Sequence, residues 1–384
     1  MQRASRQAGA VAALFCTVAC FGGGGGGGGS GPSGVNGLVT FLTDDNLSGE
    51  DDDPAVAVDV NGTIHVVWFS DRDGTKDLYY VQSTNVDLDT ATVTWTPPLQ
   101  LTDLDAVSYP PPTQGDNYPA IALDDGGAVN VAWHRWNLAN ECHIQFLRFD
   151  GTPAGLLSAT LADVTVGANF DRFPCVVRYA ADDLRIYFGS STRGTPGVNE
   201  VFVAHSIDDG QHWAAPVAVP SLDEAGQHTQ FPQVLRLAPD HHLVTLARWS
   251  VGASGDALDA SSDVSYGEST DGETWTVAPV TQDVPDDQND FTPFVGFDHD
   301  GHAQLAWATI AFGDPTADLV RLPASSIAQY PSAAHLVQPS QGLPDHSPRI
   351  VPLTVGGRRV FLTMWVRIYD LLHNQVVYRL SSQP

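Results

Sequence analysis

A short phrase built around a proline recurs six times along this chain of 384 residues. Each copy contains a polar loop, the proline, a short apolar run, a turn and a second apolar run that usually ends in an aromatic residue. The prolines are spaced 55 to 65 residues apart, and they are Pro54, Pro119, Pro174, Pro232, Pro293 and Pro348. A period of this length fits one four-stranded unit with its loops per repeat. The pattern therefore predicts an all-β chain folded as a six-bladed β-propeller.

The two clearest copies have the pattern of β-hairpins. In the first copy, Pro54 and Trp68 bracket two apolar runs that are separated by an Asn-Gly turn. In the second, Pro119 and Trp133 bracket two runs around an Asp-Asp-Gly-Gly turn. Apolar runs on both sides of such a turn are the strongest local signal for a hairpin. We therefore place each repeat proline at the first position of the innermost strand of a blade, where its missing N–H breaks no ladder.

The sixth copy ends before it can supply a fourth strand. Only the segment Leu380–Pro384 follows its third strand, whereas Leu38–Thr43 at the other end of the chain resembles the outer strand Leu99–Thr102 of the first copy. We expect this N-terminal segment to complete the last blade and to close the ring, which removes an exposed sheet edge. Because a propeller grows by repetition, residues 37–384 are predicted to be one domain.

Residues 1–20 resemble a lipoprotein signal peptide. Two arginines precede the apolar stretch Ala8–Ala19, which is too short to span a bilayer as a mature anchor. The sequence Thr-Val-Ala-Cys20 resembles a bacterial lipobox, in which the cysteine is lipidated; an ordinary cleaved signal is the alternative. Residues 21–36 contain an unbroken glycine tract and are predicted to be a flexible linker. By the sorting rule of similar lipoproteins, we expect an outer-membrane or cell-surface protein that contacts the membrane only through its lipid.

Charge and cysteine content exclude several classes of protein. The chain has 18 Lys and Arg against 45 Asp and Glu, a net charge of −27, whereas phosphate binding needs a basic surface, so no nucleic-acid partner is expected. Cys142 and Cys175 fall on strands that are not obvious neighbours and are predicted to be separate thiols. Aspartate-rich turns lack the closing glutamate of a calcium loop, so no metal and no cofactor are predicted. A monomer is expected.

Two short motifs resemble the Asp-box, Ser-x-Asp-x-Gly-x-x-Trp, of the sialidase-like propellers. The second copy is one residue shorter than the first, and the residues of the two copies are Ser206, Asp208, Gly210, Trp213, Ser269, Asp271, Gly272 and Trp275. The resemblance implies a sialidase-like propeller in which these motifs lie on the face opposite the ligand site. An aspartate of this kind closes a turn and the tryptophan packs between sheets, so we expect a structural role.

The other face is predicted to carry the site. Aspartates precede the inner strands, arginines follow the second strands, and aromatic residues are interspersed. Such a surface suits polyhydroxylated or carboxylate-bearing ligands; the alternative is that the aspartates pair with the arginines and the aromatic residues seal the channel. The candidate ligand-binding residues are Asp116, Asp171, Arg172, Asp290, Asp345, Arg72, Arg135, Arg193, Arg248, Arg367, Trp136 and Trp249.

A complete sialidase site is not identifiable. The family resemblance implies three arginines, a tyrosine paired with a glutamate, an aspartic acid and a Phe-Arg-Ile-Pro motif. Here Arg172 and Pro174 keep part of that motif, but in the third repeat, and no tyrosine–glutamate pair is evident. The sequence therefore predicts a surface lipoprotein that recognises a glycan or a surface partner. An exo-acting glycoside hydrolase with two carboxylates and a scaffold without a ligand are the alternatives, and no catalytic residue is assigned.

Overall fold

A computed structural model of the chain describes residues 38–43, 50–102, 115–137, 141–167, 169–251, 262–281, 288–311, 317–338, 344–370 and 373–382. These residues form six antiparallel sheets, one for each repeat, which confirms the predicted six-bladed β-propeller. The predicted signal peptide and linker lie outside the described residues. Within the described ranges no helix is both long and apolar enough to cross a membrane.

The blades are numbered 1 to 6 in chain order, and the strands of each blade run from the innermost to the outermost. The inner strands are Asp51–Val58, Gly115–Leu123, Asp171–Arg178, Gln227–Ala238, Gln288–Phe297 and Asp345–Val355. The second strands are Ile64–Ser70, Val129–Trp136, Leu184–Ser190, His241–Ser250, Ala303–Ala311 and Arg358–Asp370. The third strands are Asp77–Asp87, Cys142–Phe149, Glu200–Ser206, Asp263–Ser269, Ala317–Pro323 and His373–Ser381. The outer strands are Thr92–Trp95 with Leu99–Gln100, then Thr160–Asp163, Val217–Ala218, Thr276–Pro279, His335–Gln338 and, for blade 6, Thr40–Phe41.

Short helical segments connect some of these strands. An α-helix, Pro153–Leu156, precedes the outer strand of blade 2, and Thr152 caps it by accepting a hydrogen bond from the Gly155 N–H. Two 3₁₀ helices are present: Pro220–Leu222 connects blade 3 to blade 4, and Ala324–Gln329 precedes the outer strand of blade 5. The described part of the chain is thus almost entirely strand and turn.

The repeat prolines lie inside the inner strands, which corrects the prediction that they begin them. In blade 1 the strand begins at Asp51, and its pairing with the second strand shifts between Asp52 and Ala55, around Pro54. Each proline occupies such a β-bulge, where its missing N–H costs no ladder bond. The residue before the proline has a positive φ of 47° to 57° in all six blades, and these residues are Asp53, Tyr118, Phe173, Phe231, Thr292 and Ser347.

The hydrophobic core is a ring of clusters between neighbouring blades. Blades 1 and 6, for example, pack Val66 and Trp68 against Leu362 and Met364, all of them at most 1 % exposed. A comparable buried cluster lies between each other pair of successive blades. Because every sheet is covered on both faces, each blade depends on its two neighbours for burial.

The two ends of the described chain meet in blade 6. Thr40 and Phe41 pair with Tyr378 and Val377 of the third strand, so the outer strand of this blade comes from the N-terminal side of the propeller. The Tyr378 hydroxyl also accepts a hydrogen bond from the Val93 N–H of blade 1 at 3.1 Å. These contacts join the last blade to the first and cover an edge that would otherwise be exposed.

Cys142 and Cys175 are buried free thiols. Cys142 begins the third strand of blade 2, and Cys175 lies in the inner strand of blade 3. Burial raises the pKa of the Cys175 thiol to about 11. Both side chains therefore behave as small core residues in the thiol form.

Candidate functional site

The aspartate three residues before a repeat proline is bound inside its own blade. In blade 2, the Arg135 guanidinium donates to both carboxylate oxygens of Asp116, at 2.7 and 2.9 Å, and Trp133 Nε1 donates to one of them at 2.8 Å. Asp116 is only 3 % exposed, so this is a buried bidentate ion pair. Arg193 and Arg367 bind Asp171 and Asp345 in the same bidentate way, whereas Arg72 donates a single hydrogen bond to Asp51 at 2.8 Å.

Two blades depart from this arrangement. In blade 5 the residue at the place of the arginine is Thr309; Asp290 accepts a hydrogen bond from Trp307 Nε1 at 3.1 Å, and burial raises its pKa to about 6. In blade 4, Arg248 donates to Glu224 at 3.0 Å and to a backbone carbonyl at 2.6 Å. The candidate residues that the structure places in contacts within the fold are Asp116, Asp171, Asp290, Asp345, Arg72, Arg135, Arg193, Arg248 and Arg367.

The two residues directly before each proline lie nearer the axis. Consecutive side chains of a regular strand point to opposite faces, but a β-bulge changes the direction of one of them. In blades 1, 2 and 3 both side chains of the pair line the same cavity. These pairs are Asp52 with Asp53, Asn117 with Tyr118, and Arg172 with Phe173.

We call this space the axial cavity, and its volume is about 170 Å³. Beneath it the channel narrows to a space of about 20 Å³ at the residues before the prolines, and it widens again to about 450 Å³ between the inner strands. Aromatic rings form the constriction: the centroid of Phe173 lies 4.6 Å from that of Tyr118 and 4.0 Å from that of Phe231. The axial cavity therefore has a floor. Its lining residues are Glu50, Asp52, Asp53, Phe69, Lys76, Asn117, Tyr118, His134, Trp136, Arg172, Phe173 and Phe231.

Two adjacent carboxyl groups stand in the axial cavity. Asp52 accepts a hydrogen bond from Asn374 Nδ2 at 2.8 Å, and Asp53 accepts one from the Ser347 hydroxyl at 2.8 Å. One oxygen of each carboxyl group and a ring nitrogen of His346 all lie within 4.8 Å of one another, a spacing that could hold a cation. Because neutral donors already bind both carboxyl groups, we interpret the group as a hydrogen-bonded carboxyl pair.

Asp53 differs chemically from the aspartates of the ion pairs. Its burial and the negative charge of Asp52 raise its pKa well above the ordinary value, while the Ser347 hydroxyl and the Arg349 charge oppose this shift only in part. A carboxyl group in such surroundings keeps its proton to a higher pH than an ordinary aspartate does. Asp53 can therefore act as a proton donor, as in other pairs of carboxyl groups whose environments separate their pKa values.

The cations of the axial cavity are held by neighbouring groups. Lys76 Nζ lies 2.7 Å from a carboxylate oxygen of Glu50. The Arg172 guanidinium lies over the rings of Phe170 and Phe173, at 4.5 and 4.8 Å from their centroids. This cavity thus combines three acidic side chains with two cations, and one of the cations is already paired with one of the acids.

The two aromatic candidates, Trp136 and Trp249, lie in different surroundings. Trp136 lines the axial cavity and packs edge-on against Phe170, with centroids 4.9 Å apart. Trp249 is 2 % exposed and stacks on His228 at 5.0 Å, outside the cavity lining. Of the twelve candidates, Arg172 and Trp136 are the ones that line the cavity.

The motifs that resemble Asp-boxes make tight turns after third strands, at the end of the blades away from the axial cavity. The Ser206 hydroxyl accepts a hydrogen bond from the Gly210 N–H at 2.9 Å, and Asp208 accepts one from a backbone N–H two positions beyond that glycine at 2.9 Å. Trp213 packs against Phe146 of blade 2, with centroids 5.1 Å apart. The second motif makes a comparable turn with Ser269, Asp271, Gly272 and Trp275.

Several lining residues are absent from the sequence-based candidates. Asp52 and Asp53 line the cavity and precede Pro54, and His346, which lies beside them, precedes Pro348 by two positions, so the repeat itself marks all three once the bulge is known. Lys76 and His134 carry no such mark: Lys76 lies in a loop, and His134 lies within a second strand that reads as ordinary core. The sequence signal that was available is the position directly before each proline.

Solved structures with the same architecture include glycoside hydrolases. A protein of unknown function from Dyadobacter fermentans shares 14 % identity at a TM-score of 0.63, covering 91 % of this chain and 99 % of that chain. The GH93 α-L-arabinofuranosidase of Fusarium graminearum, solved with arabinobiose, shares 12 % identity at a TM-score of 0.59, with 91 % and 97 % coverage. The NanB sialidase from Streptococcus pneumoniae shares 11 % identity at a TM-score of 0.56, covering 90 % of this chain and 70 % of that chain. At these identities the likeness shows the fold, which is sialidase-like.

No protein-family model matches the chain, and no curated protein sequence matches it.

Proposed function

We propose that this protein is an exo-acting glycoside hydrolase in which Asp53 is the proton donor and Asp52 is the second carboxylate. The observation that carries the proposal is the bulge of blade 1, where two consecutive carboxyl groups line one cavity and the pKa of one of them is raised. Glycoside hydrolysis generally needs such a pair, one group protonated and one ionised. The glycoside hydrolases among the structural neighbours support this choice over the other functions that a propeller can host.

The proposed reaction follows from the roles of the two groups. Asp53 donates its proton to the glycosidic oxygen while the bond from that oxygen to the anomeric carbon breaks. Asp52 has a carboxyl oxygen no more than 4.8 Å from one of Asp53, which is shorter than the roughly 6.5 to 9.5 Å that leaves room for a water molecule between the groups of inverting enzymes. Asp52 therefore attacks the anomeric carbon, and a water molecule deprotonated by Asp53 then releases the sugar with retained configuration.

The shape of the cavity supports an exo mode of action. The Tyr118, Phe173 and Phe231 rings close its floor, so a polysaccharide cannot pass through toward the inner strands. A space of about 170 Å³ accommodates one end of a chain rather than an internal stretch. The sugar removed is therefore the terminal one.

Turnover and stereochemistry test the proposal together. Purified protein is offered chromogenic α- and β-glycosides of neutral pentoses and hexoses, together with sialosides, and the first-formed anomer is read by ¹H NMR. We expect hydrolysis of at least one glycoside with retention of configuration. Absence of turnover on every substrate, with a cooperative melting transition intact, would overturn the hydrolase. Turnover with inversion would overturn only the role of Asp52 as nucleophile.

A second function, glycan recognition without turnover, is favoured by one observation. Both carboxyl groups are at most 6 % exposed and accept hydrogen bonds from Asn374 and Ser347, as in a site that holds hydroxyl groups without reacting with them. A binding propeller would retain a sugar on a glycan array and show no hydrolysis. The same substrate panel therefore separates the two functions.

We also propose that the propeller is displayed at the outer membrane as a monomer, through a lipid on Cys20 and the glycine-rich linker 21–36. The proposal rests on the sequence alone, since these residues lie outside the described ranges. Cells that express the protein and are fed an alkyne fatty acid should label it, and Cys20→Ser should abolish the label. Equal labelling of both proteins would exclude the lipid anchor at this residue.

A further inference from the structure

His134 is a buried side chain with one ring nitrogen left for a ligand. It is 1 % exposed and lines the axial cavity. Its Nδ1 accepts a hydrogen bond from the Phe173 N–H at 3.3 Å, and its ring stacks on Tyr118 with centroids 5.1 Å apart. Within the described ranges Nε2 makes no hydrogen bond. A polar atom of so deeply buried a side chain is expected to find a partner, and here that partner comes from the cavity.

The protonation state of His134 follows from the same contacts. Burial, together with the positive charges of Arg172 and Lys76, lowers the pKa of His134 well below its ordinary value, so the ring is neutral. Because Nδ1 accepts a hydrogen bond from a backbone N–H, the single ring proton is assigned to Nε2. His134 therefore presents a neutral N–H donor to the cavity. A hydroxyl or carbonyl oxygen matches this donor without the need for a charge.

The charges around the cavity disfavour an acidic ligand. With Asp53 in its proposed protonated state, Asp52 and Glu50 are the carboxylates of the lining, and Glu50 is already paired with Lys76. The arginines that might have formed a carboxylate clamp instead donate to aspartates inside their own blades, and these arginines are Arg72, Arg135, Arg193 and Arg367. A ligand carboxylate would thus meet the negative charge of Asp52, while the nearby Arg172 already lies over the rings of Phe170 and Phe173. Recognition of a carboxylate usually depends on bidentate arginine contacts.

We propose that the axial cavity selects an uncharged terminal sugar and that His134 is a specificity-determining residue, which donates its Nε2 proton to a hydroxyl oxygen of that sugar. The inference rests on the proposed use of this cavity for a sugar, and it deepens that proposal by naming the substrate class. The aromatic surfaces of Trp136 and Tyr118 suit the apolar faces of a sugar ring. Acidic sugars, including sialic acid, are disfavoured, because Asp52 repels their carboxylate and the arginines of these blades are already paired with aspartates.

Binding can be measured independently of turnover on the Asp53→Asn protein. The probes are arabinobiose, the methyl glycosides of neutral hexoses and pentoses, methyl glucuronide and 3′-sialyllactose, each titrated by calorimetry. We expect at least one neutral probe to bind with a Kd of about 1 mM or tighter and the acidic probes to bind at least tenfold more weakly. Adding His134→Phe should weaken the best neutral probe by about tenfold, the loss of one hydrogen bond, while His134→Gln should retain a side-chain N–H donor and lose less.

A matched control is available in blade 4. His228 Nδ1 also accepts a backbone hydrogen bond, from the Asn199 N–H at 3.1 Å, and the ring also stacks on an aromatic residue, but His228 does not line the axial cavity. His228→Phe should therefore lower the melting temperature much as His134→Phe does, with no change in sugar binding.

Three results would overturn the inference: no neutral probe binds, an acidic probe binds more tightly than every neutral one, or His134→Phe and His228→Phe change binding equally. Selective neutral binding by a wild-type protein that hydrolyses nothing would instead reject the hydrolase and leave the inference standing.

Discussion

Two sets of aspartates lie one or two residues apart in the same repeat but have different roles: one set stabilises the blades and the other lines the axial cavity. The aspartate three positions before the proline, such as Asp345, is neutralised by an arginine at 2.9 Å and belongs to the framework of its blade. The aspartates one and two positions before the proline in blade 1 lie in the axial cavity, where their hydrogen-bond donors are neutral groups. In this propeller the side chain three positions before the proline faces its own blade and stabilises it. The side chains that the bulge turns toward the axis are the ones that can react with a ligand.

The same contrast appears along a single strand. Arg359 and Arg367 both lie in the second strand of blade 6. Arg359 pairs with Asp300 at 2.7 Å with both side chains at least half exposed, whereas Arg367 is 8 % exposed and pairs with an aspartate that is not exposed at all. The exposed pair has one hydrogen bond and the buried pair has two, and the buried pair is also the one that water does not screen, so we expect it to contribute more.

The largest effect is a loss of activity, and it is expected at one of two buried aspartates whose pKa is raised. Asp53→Asn should lower kcat by about 10²- to 10⁴-fold, because it removes the proposed general acid. Asp290→Asn is the matched control: Asp290 is also buried and its pKa is also raised, to about 6, but it lies outside the lining of the axial cavity. Its activity should remain close to that of the wild type. The measurement is the initial rate of each variant on the best chromogenic substrate. Equal losses of rate in the two variants would contradict the proposal that Asp53 is the general acid and Asp290 is not.

The next effect concerns stability. Arg367→Met leaves the Asp345 carboxylate buried without its partner, and the free energy of unfolding should fall by about 3 to 5 kcal/mol. Adding Asp345→Asn in the same protein should recover much of this loss, because the uncompensated charge is then gone. Denaturant unfolding followed by tryptophan fluorescence measures both changes. If the single and double variants are equally unstable, the charge pair is not the cause.

A smaller effect depends on pH. The pKa of Asp290 is about 6 in the folded protein against an ordinary value of 3.8, and that of Asp223 is about 7. Between about pH 4 and 7 the folded state holds protons that the unfolded chain has released, so these two groups lower stability as the pH rises through this window. For Asp290 the change is at most about 3 kcal/mol. Between pH 4 and 8 the melting temperature of Asp290→Asn should change less than that of the wild type. The same pH dependence in both proteins would contradict the raised pKa of Asp290.

The smallest effect is expected at the exposed pair of the same strand. Arg359→Met should change the free energy of unfolding by about 0 to 1 kcal/mol, since water screens the pair with Asp300. The unfolding curve of this variant is the control for Arg367→Met, because the substitution and the strand are the same. A loss as large as that of Arg367→Met would show that burial is not what separates the two pairs.

The fold was largely predictable from the sequence because the repeat is local. Proline, hairpin turn and aromatic residue recur in phase, and each copy is a unit that only neighbouring copies can bury. What the pattern did not reveal is the bulge, since a proline is compatible with a strand start as well as with a bulge. That single difference moved the prolines three or more residues into the strands and placed Asp52 and Asp53 side by side in one cavity.

The candidate site was predictable only in part. The sequence indicates which face carries polar loops, and Arg172 and Trp136 do line the axial cavity. The sequence left open whether the aspartates bind a ligand or pair with the arginines. It does not indicate which partners meet, as Asp116 meets Arg135 nineteen positions away, because that contact depends on the register between two strands. The sequence did not predict His134 as a site residue for the same reason. Its neighbours in space are Tyr118, from the adjacent strand, and Phe173, from the next blade.

The most direct test of the account is the titration of the Asp53 carboxyl group. Protein labelled with ¹³C at the aspartate carboxyl carbons is followed by NMR from pH 3 to 9, and the Asp53 resonance is identified by its loss in Asp53→Asn. We expect Asp53 to titrate well above the ordinary value, and to titrate closer to that value in Asp52→Asn, where the neighbouring charge is gone. If Asp53 of the wild-type protein titrates at about 4, it holds no proton at neutral pH and cannot be the acid that the proposed reaction requires.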